Sequence, residues 1–371
     1  MASSAQNIHS GATSAPPPTP STQPNNNLFS TTSSAAAADA LSRLLHRLPP
    51  ALSLPSRRLA SPPAKCPPSI SLSGDTILDD LLSSSSQLGF FQFTGHSVPP
   101  QLASSAESEA LAILNLAREQ KESCFPKNWP LGYEAEEDEE GDGQGEFLCL
   151  DSACSAESTE LAVSSVSELT RELERVGLRI VEMLSGSVGF ENPFGNNPER
   201  LCSYMWISED LPGKKAMNSG GFYPYVVGLQ YQIRSRKYSL MADSGWVSVL
   251  PQIDSVMVTI GDIAQVWSNG KLKKVRGRPI ACSGEGMNNT RSISMTVLIT
   301  LPLDSTVSPL LPKDCTKTNN TNCGHNHNKD EECEEEEEKR LFNSFSFEDY
   351  AWRVYHERFP IKDPLDRYRI K

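Results

Sequence analysis

Histidine is the side chain best suited to bind iron or zinc and to move protons near neutral pH. The chain has six: His9, His46, His96, His325, His327 and His356. None lies between residues 97 and 324. A histidine-based metal or acid–base centre built wholly within the middle of the chain is therefore excluded. Carboxylates do occur there, Asp243, Asp254 and Asp262 among them. Cys315, Cys323, His325, His327 and Cys333 form a Cys/His group near the end. Its spacing fits no standard zinc module, and Asn-, Thr- and Glu-rich sequence around it offers no rigid support. We read it as incidental. Arg291, with Ser292 and Ser294 close behind, could hold an anion by charge-assisted hydrogen bonds. Lys271, Lys273, Lys274, Arg276 and Arg278 make a basic strand, with Arg234, Arg236 and Lys237 on another. Such strands are anion patches or, more often, solvated and edge-protecting faces. Stacking aromatics are not interleaved with them, so nucleic acid is not an expected partner.

These residues must be positioned by a fold, and composition narrows it. A length of 371 residues allows two or three domains. The net charge of −12 is local, because residues 134–146 and 330–338 carry eight acids each. It says little about partners. No apolar run approaches the ~20 residues of a membrane span. The start of the chain does not read as a secretion signal, so scattered cysteines read as reduced thiols. A cytoplasmic protein is expected, with a plastid as the alternative because the first 66 residues are Ser-rich and acid-poor.

Residues 1–66 hold ten of the 27 prolines and read as a disordered tail. Leu41, Leu44, Leu45 and Leu48 form one island of helical spacing in it. Order begins near Pro67. A short strand, a helix from about Asp75, a strand at Phe91–Phe93 and a helix over 100–121 follow. The acidic run 134–146 reads as a loop, and a long helix occupies roughly 157–185. After residue 200 the period changes to two, as in Trp246–Leu250, Ser255–Ile260 and Ile293–Leu301. Asn269-Gly270 reads as a type I′ hairpin. Residues 305–342 return to low complexity, and a last helix starts at Ser346.

The order of these elements is specific. Gly89-Phe-Phe-Gln-Phe-Thr-Gly-His-Ser-Val-Pro99 resembles a signature in the N-terminal helical region of plant 2-oxoglutarate/Fe(II)-dependent dioxygenases, the isopenicillin N synthase-like class. Gly245–Pro251, Val258–Asp262 and Ser268–Val275 are similar to its barrel sequence, in the same order. Phe347–Tyr350 and Leu365–Ile370 resemble its C-terminal helix and ending. The resemblance implies a mainly β fold with flanking helices, a double-stranded β-helix or jelly roll. The divisions would be a tail at 1–66, a helical region at 67–198, a barrel at 199–304, an acidic insertion at 305–342 and a C-terminal helix at 343–371.

The resemblance also implies an iron site of two His and one carboxylate. Aligned on Tyr223-Pro224, the His-x-Asp positions read Tyr225 and Val227 here. Aligned on Ser268-Asn-Gly270, the distal His position is Gly277. None is a ligand of that triad, and no shift of register finds a histidine. The family's 2-oxoglutarate clamp, an Arg with a Ser two residues on, has Arg291 and Ser294 as displaced counterparts. We therefore expect the fold without iron-dependent catalysis, no catalytic residue, and no cofactor. The role would be binding or regulation, with a small organic acid or a protein as partner, and no membrane. Two alternatives stand. One is an active oxidoreductase with Fe(II) held differently, by Asp243, Asp254 or Asp262 with His96 or His356. The other is a non-catalytic receptor for an organic acid at Arg291.

Overall fold

The computed structural model describes residues 64–71, 77–135, 146–154, 163–195, 201–209, 222–282, 292–310, 340–357 and 362–370. The leucine island, Arg291 and the Cys/His group lie outside these residues.

The N-terminal half supplies β1 (Ser69–Ser71), α1 (Ile77–Gln87), β2 (Phe90–Thr94), α2 (Pro100–Leu114), α3 (Arg118–Cys124), β3 (Gly132–Ala135), β4 (Glu146–Asp151) and α4 (Ser164–Val188). After these come β5 (Cys202–Glu209), β6 (Val227–Tyr231), β7 (Tyr238–Ala242), β8 (Gly245–Val249), β9 (Val256–Ile260), α5 (Asp262–Trp267), β10 (Val275–Ala281) and β11 (Ile293–Thr300). The chain ends with β12 (Thr306–Val307), β13 (Phe345–Ser346), α6 (Phe347–Glu357) and a 3₁₀ turn at Pro364–Tyr368.

Eight strands form one sheet in the order β1-β2-β9-β6-β11-β5-β4-β3. A three-stranded sheet, β10-β7-β8, faces it. Phe90 and Met257 of the large sheet pack on Tyr238, Leu240, Ala242, Val249 and Val275 of the small one. The architecture is mainly β with flanking helices, as expected. The described strands face each other as two open sheets and do not close into a barrel. Residues 67–198 are more than a helical region, because β1 to β4 join the same sheet as the later strands. Their apolar runs require it: β2 is buried on both faces, between β1 and β9.

The long helix begins at Ser164 and keeps the expected stripe. Val166, Leu169, Leu173, Val176, Ile180 and Leu184 are buried. Its first turn has free amide donors. Glu109 of α2 accepts them, from Ser165 N at 2.8 Å and Val166 N at 3.0 Å. On the other side Gly177 lets α4 come so close to the sheet that a Cβ there would stand 2.8 Å from Ile299.

Asn269-Gly270 does not close a hairpin. Residues 262–267, which precede it, are helical and buried. The Gly270 amide donates to Gln265 O at 2.8 Å and the Asn269 amide to Val266 O at 2.9 Å. That pair of bonds is the Schellman ending of a helix. Positive φ at both residues, the property from which a hairpin was expected, serves a helix end just as well. The expected helix over 100–121 likewise breaks into α2 and α3 at residues 115–117.

Candidate functional site

The three positions that the dioxygenase pattern reserves for iron ligands lie where β6 begins and along β10. Tyr225, just ahead of β6, is buried, with 2% of its surface exposed. Its hydroxyl oxygen stands 2.8 Å from the Val275 carbonyl, 2.8 Å from the Gly277 carbonyl and 3.2 Å from Thr259 Oγ1. One proton serves one carbonyl at a time, and the Thr259 hydroxyl can donate back to the phenol oxygen. Burial holds this phenol well above the ordinary tyrosine range, so it stays protonated. The ring thus spans the gap between the two sheets as a neutral, hydrogen-bonded plug.

Val227 is also buried but faces elsewhere. It pairs with Ile260 and Ile299, and alternation puts it on the face of Leu229. That face is the one α4 covers, because Gly177 packs against Leu229 and Ile299. A carboxylate at 227 would point into the helix layer. Gly277 has φ +65, and a Cβ there would stand 2.4 Å from the Phe222 ring. Phe222 therefore fills the space a side chain at 277 would need. The free volume between Phe222, Tyr223, Asp262, Arg276, Val354 and Pro364 is about 20 Å³, room for about one water. These positions do not fit an iron ion held by two His and a carboxylate.

The remaining candidates have structural partners. Asp243 Oδ2 accepts from Gln265 Nε2 at 2.8 Å, and Asp254 Oδ1 from the Tyr231 hydroxyl at 3.0 Å. Asp262 Oδ1 lies 3.0 Å from Lys274 Nζ. His96 Nδ1 accepts the Val98 amide at 3.1 Å, so Nε2 carries the proton and donates to Asp254 O at 3.0 Å. His356 stacks on Trp352, with ring centres 4.3 Å apart, on the exposed face of α6. No group of three or more His, Cys, Asp or Glu among the described residues could hold a metal. Ser294 is buried in β11 opposite Ser208; Arg291, its expected partner in an anion clamp, lies outside the described residues.

The basic strand is the largest departure from expectation. Lys271 and Lys273 are exposed, but Lys274 is fully buried and 2.6 Å from Asp363. Arg276 reaches the same carboxylate at 3.6 Å, and Arg278 lies over the Trp206 ring at 4.2 Å. Arg234, Arg236 and Lys237 sit in the connection between β6 and β7, not on a strand. There Arg234 Nη2 meets Glu107 at 2.6 Å. The two basic groups are therefore not one patch. Sequence reasoning missed Phe222, Thr259 and the Lys274–Asp363 pair. The only available signal for the pair was a lysine between Lys273 and Val275 in an otherwise alternating strand.

No family model matches the chain. Gibberellin 2-beta-dioxygenase 2 of Arabidopsis thaliana is 25% identical over 283 residues, covering 70% of this chain and 77% of its own. Gibberellin 2-beta-dioxygenase 3 of the same plant is 24% identical over 332 residues, covering 82% and 88%. Among solved structures, JOX2 in complex with 2OG, Fe and JA superposes with TM-score 0.63 at 18% identity, covering 83% of this chain and 90% of that one. The rice dioxygenase for auxin oxidation gives 0.58 at 17%, covering 82% and 99%. These likenesses establish the fold. They also correct the expectation of no cofactor: JOX2 was solved with 2OG and Fe, and the Arabidopsis auxin dioxygenase with 2-oxoglutarate. Fe(II) and 2-oxoglutarate are the groups this fold suggests.

Proposed function

We propose that this chain, which has the fold and the sequence likeness of the 2-oxoglutarate/Fe(II) dioxygenase superfamily, works by binding or regulation and not by oxidation at that superfamily's iron-ligand positions. One observation carries the reading. Tyr225 is seated on the carbonyls of Val275 and Gly277 and on Thr259, where the pattern calls for an open metal face. A non-haem iron oxygenase needs that face for its cosubstrate and O₂. Here the neutral Tyr225 phenol occupies it.

The named relatives and neighbours act on gibberellin or auxin, or were solved with JA. A small organic acid is accordingly the ligand class we assign. Cytoplasm remains the proposed place of action, and no described helix is long and apolar enough to cross a membrane. The test adds Fe(II), 2-oxoglutarate and O₂ to purified full-length protein. Succinate release and iron content are then measured. The reading expects no succinate release above the protein-free control, whatever the iron content. Decarboxylation of 2-oxoglutarate by the protein overturns it.

A further inference from the structure

The C-terminal segment 362–370 is tied to β10 by charge. Lys274 Nζ, fully buried, lies 2.6 Å from Asp363 Oδ1 and 3.0 Å from Asp262 Oδ1. Arg276 lies 3.6 Å and Arg369 3.8 Å from Asp363 Oδ2. Arg276 also donates to Lys362 O at 3.2 Å. Lys274, just ahead of β10, and Arg276 within it therefore share one carboxylate of this C-terminal strap, residues 362–370. Between them, the Val275 carbonyl receives Tyr225, so one strand holds the plug on one side and the strap on the other. Pro364 of the strap closes the small cavity beside Phe222, Arg276 and Gly277.

Charge balance gives the seat a preference. With Asp363 in place, its carboxylate meets Lys274, Arg276 and Arg369, and Lys274 meets Asp262 as well. Without it, Lys274, which has no contact to solvent, keeps Asp262 as its one remaining ion-pair partner among the described residues, and Arg276 and Arg369 each lose a carboxylate. An uncompensated buried charge is strongly unfavourable. An entering anion with the size and shape of an Asp side chain would restore the balance, and a planar carboxylate suits a guanidinium beside an ammonium. We infer that Lys274 and Arg276 form a carboxylate-binding seat at the end of the sheet sandwich, filled in cis by Asp363, which a small organic acid takes when the strap lifts. The inference deepens the binding reading above and rests on it.

Chemical rescue tests it. Asp363→Ala in the full chain empties the seat, and Asp363→Asn keeps the volume while removing the charge, which covers the case in which the alanine variant does not fold. In sodium chloride either variant melts lower than wild type, by roughly 5–10 °C. Sodium acetate at the same ionic strength recovers a large part of that loss in the variants, and nothing in wild type. A further Lys274→Met change abolishes the acetate response. An acetate response no larger than the chloride response, or equal to that of wild type, overturns the inference and leaves a structural latch. The experiment needs no iron or 2-oxoglutarate, so its failure is separate from any turnover result.

Discussion

The Tyr225 hydroxyl lies 2.8 Å from the Gly277 carbonyl oxygen, joining two of the three positions where the dioxygenase pattern places metal ligands. The bond crosses from the entry of β6 to β10 and is shared with Val275 O and Thr259 Oγ1. Tyr225→Phe keeps the ring and removes the hydroxyl donor to those two carbonyls. We expect a loss of about 1–3 kcal/mol in denaturant unfolding. Tyr225→Ala also opens a cavity between the sheets and costs about 3–5 kcal/mol. A phenylalanine variant as stable as wild type would show that the hydroxyl does not hold the sheets together.

Val227 tests which face the chain presents. Val227→Asp places a carboxylate between β6 and the helix layer, beside Ile260 and Ile299 and on the face of Leu229. We expect a loss of about 3 kcal/mol or more, from the burial of an ionisable group against apolar side chains. Combining it with Tyr225→His and Gly277→His writes the full ligand pattern into the chain. Iron titration of the triple variant should still give no stoichiometric site, because position 227 points away from the other two. Tight Fe(II) binding by that variant would show that we have placed Val227 on the wrong face.

Gly277 and Phe222 are coupled by contact. Gly277→Ala must adopt φ +65 and drive a methyl group into the Phe222 ring. The backbone part costs about 1–2 kcal/mol, and the overpacking about 1–3 kcal/mol. In a Phe222→Ala background the second part disappears. A double-mutant cycle measured by thermal unfolding should therefore show a coupling of about 1–3 kcal/mol. Simple additivity would mean that Phe222 swings aside without resistance.

Much of this architecture was legible in the sequence. The stripe from Val166 to Leu184 gave α4, and strict alternation gave β8, β9 and β11. The absence of histidine between residues 97 and 324 was legible because a histidine count does not depend on register. The direction of Val227 was not, because the chain is still irregular at Tyr225 and Val226 and alternation starts only with β6. Asn269-Gly270 misled because positive φ is common to hairpin turns and helix ends, and the buried residues before it decided between them. Lys274 misled because a lysine in a basic strand ordinarily faces water. Its partner Asp363 lies 89 residues away, and no local pattern reveals a contact at that range.

His96 gives the fold a dependence on pH that can be read directly. Burial lowers its pKa below the usual 6.5, against the opposing pull of the Asp254 carbonyl and carboxylate. The geometry requires the neutral ring: Nδ1 accepts from the Val98 amide and Nε2 donates to Asp254 O. Protonating Nδ1 would set a donor against a donor. Tyr231 closes the group, with its ring edge-on to His96 at 5.4 Å and its hydroxyl on Asp254 Oδ1. Because the folded pKa lies below the unfolded one, the folded state binds fewer protons across the interval between them. The stability contribution is then complete above pH 6.5 and is lost as pH falls through the folded value. Melting temperature should decline below about pH 6.5. His96→Gln, which can accept and donate but does not titrate, should flatten that decline while leaving the plateau at pH 8 close to wild type. Equal slopes for the two proteins between pH 5 and 7 would assign the decline to other groups.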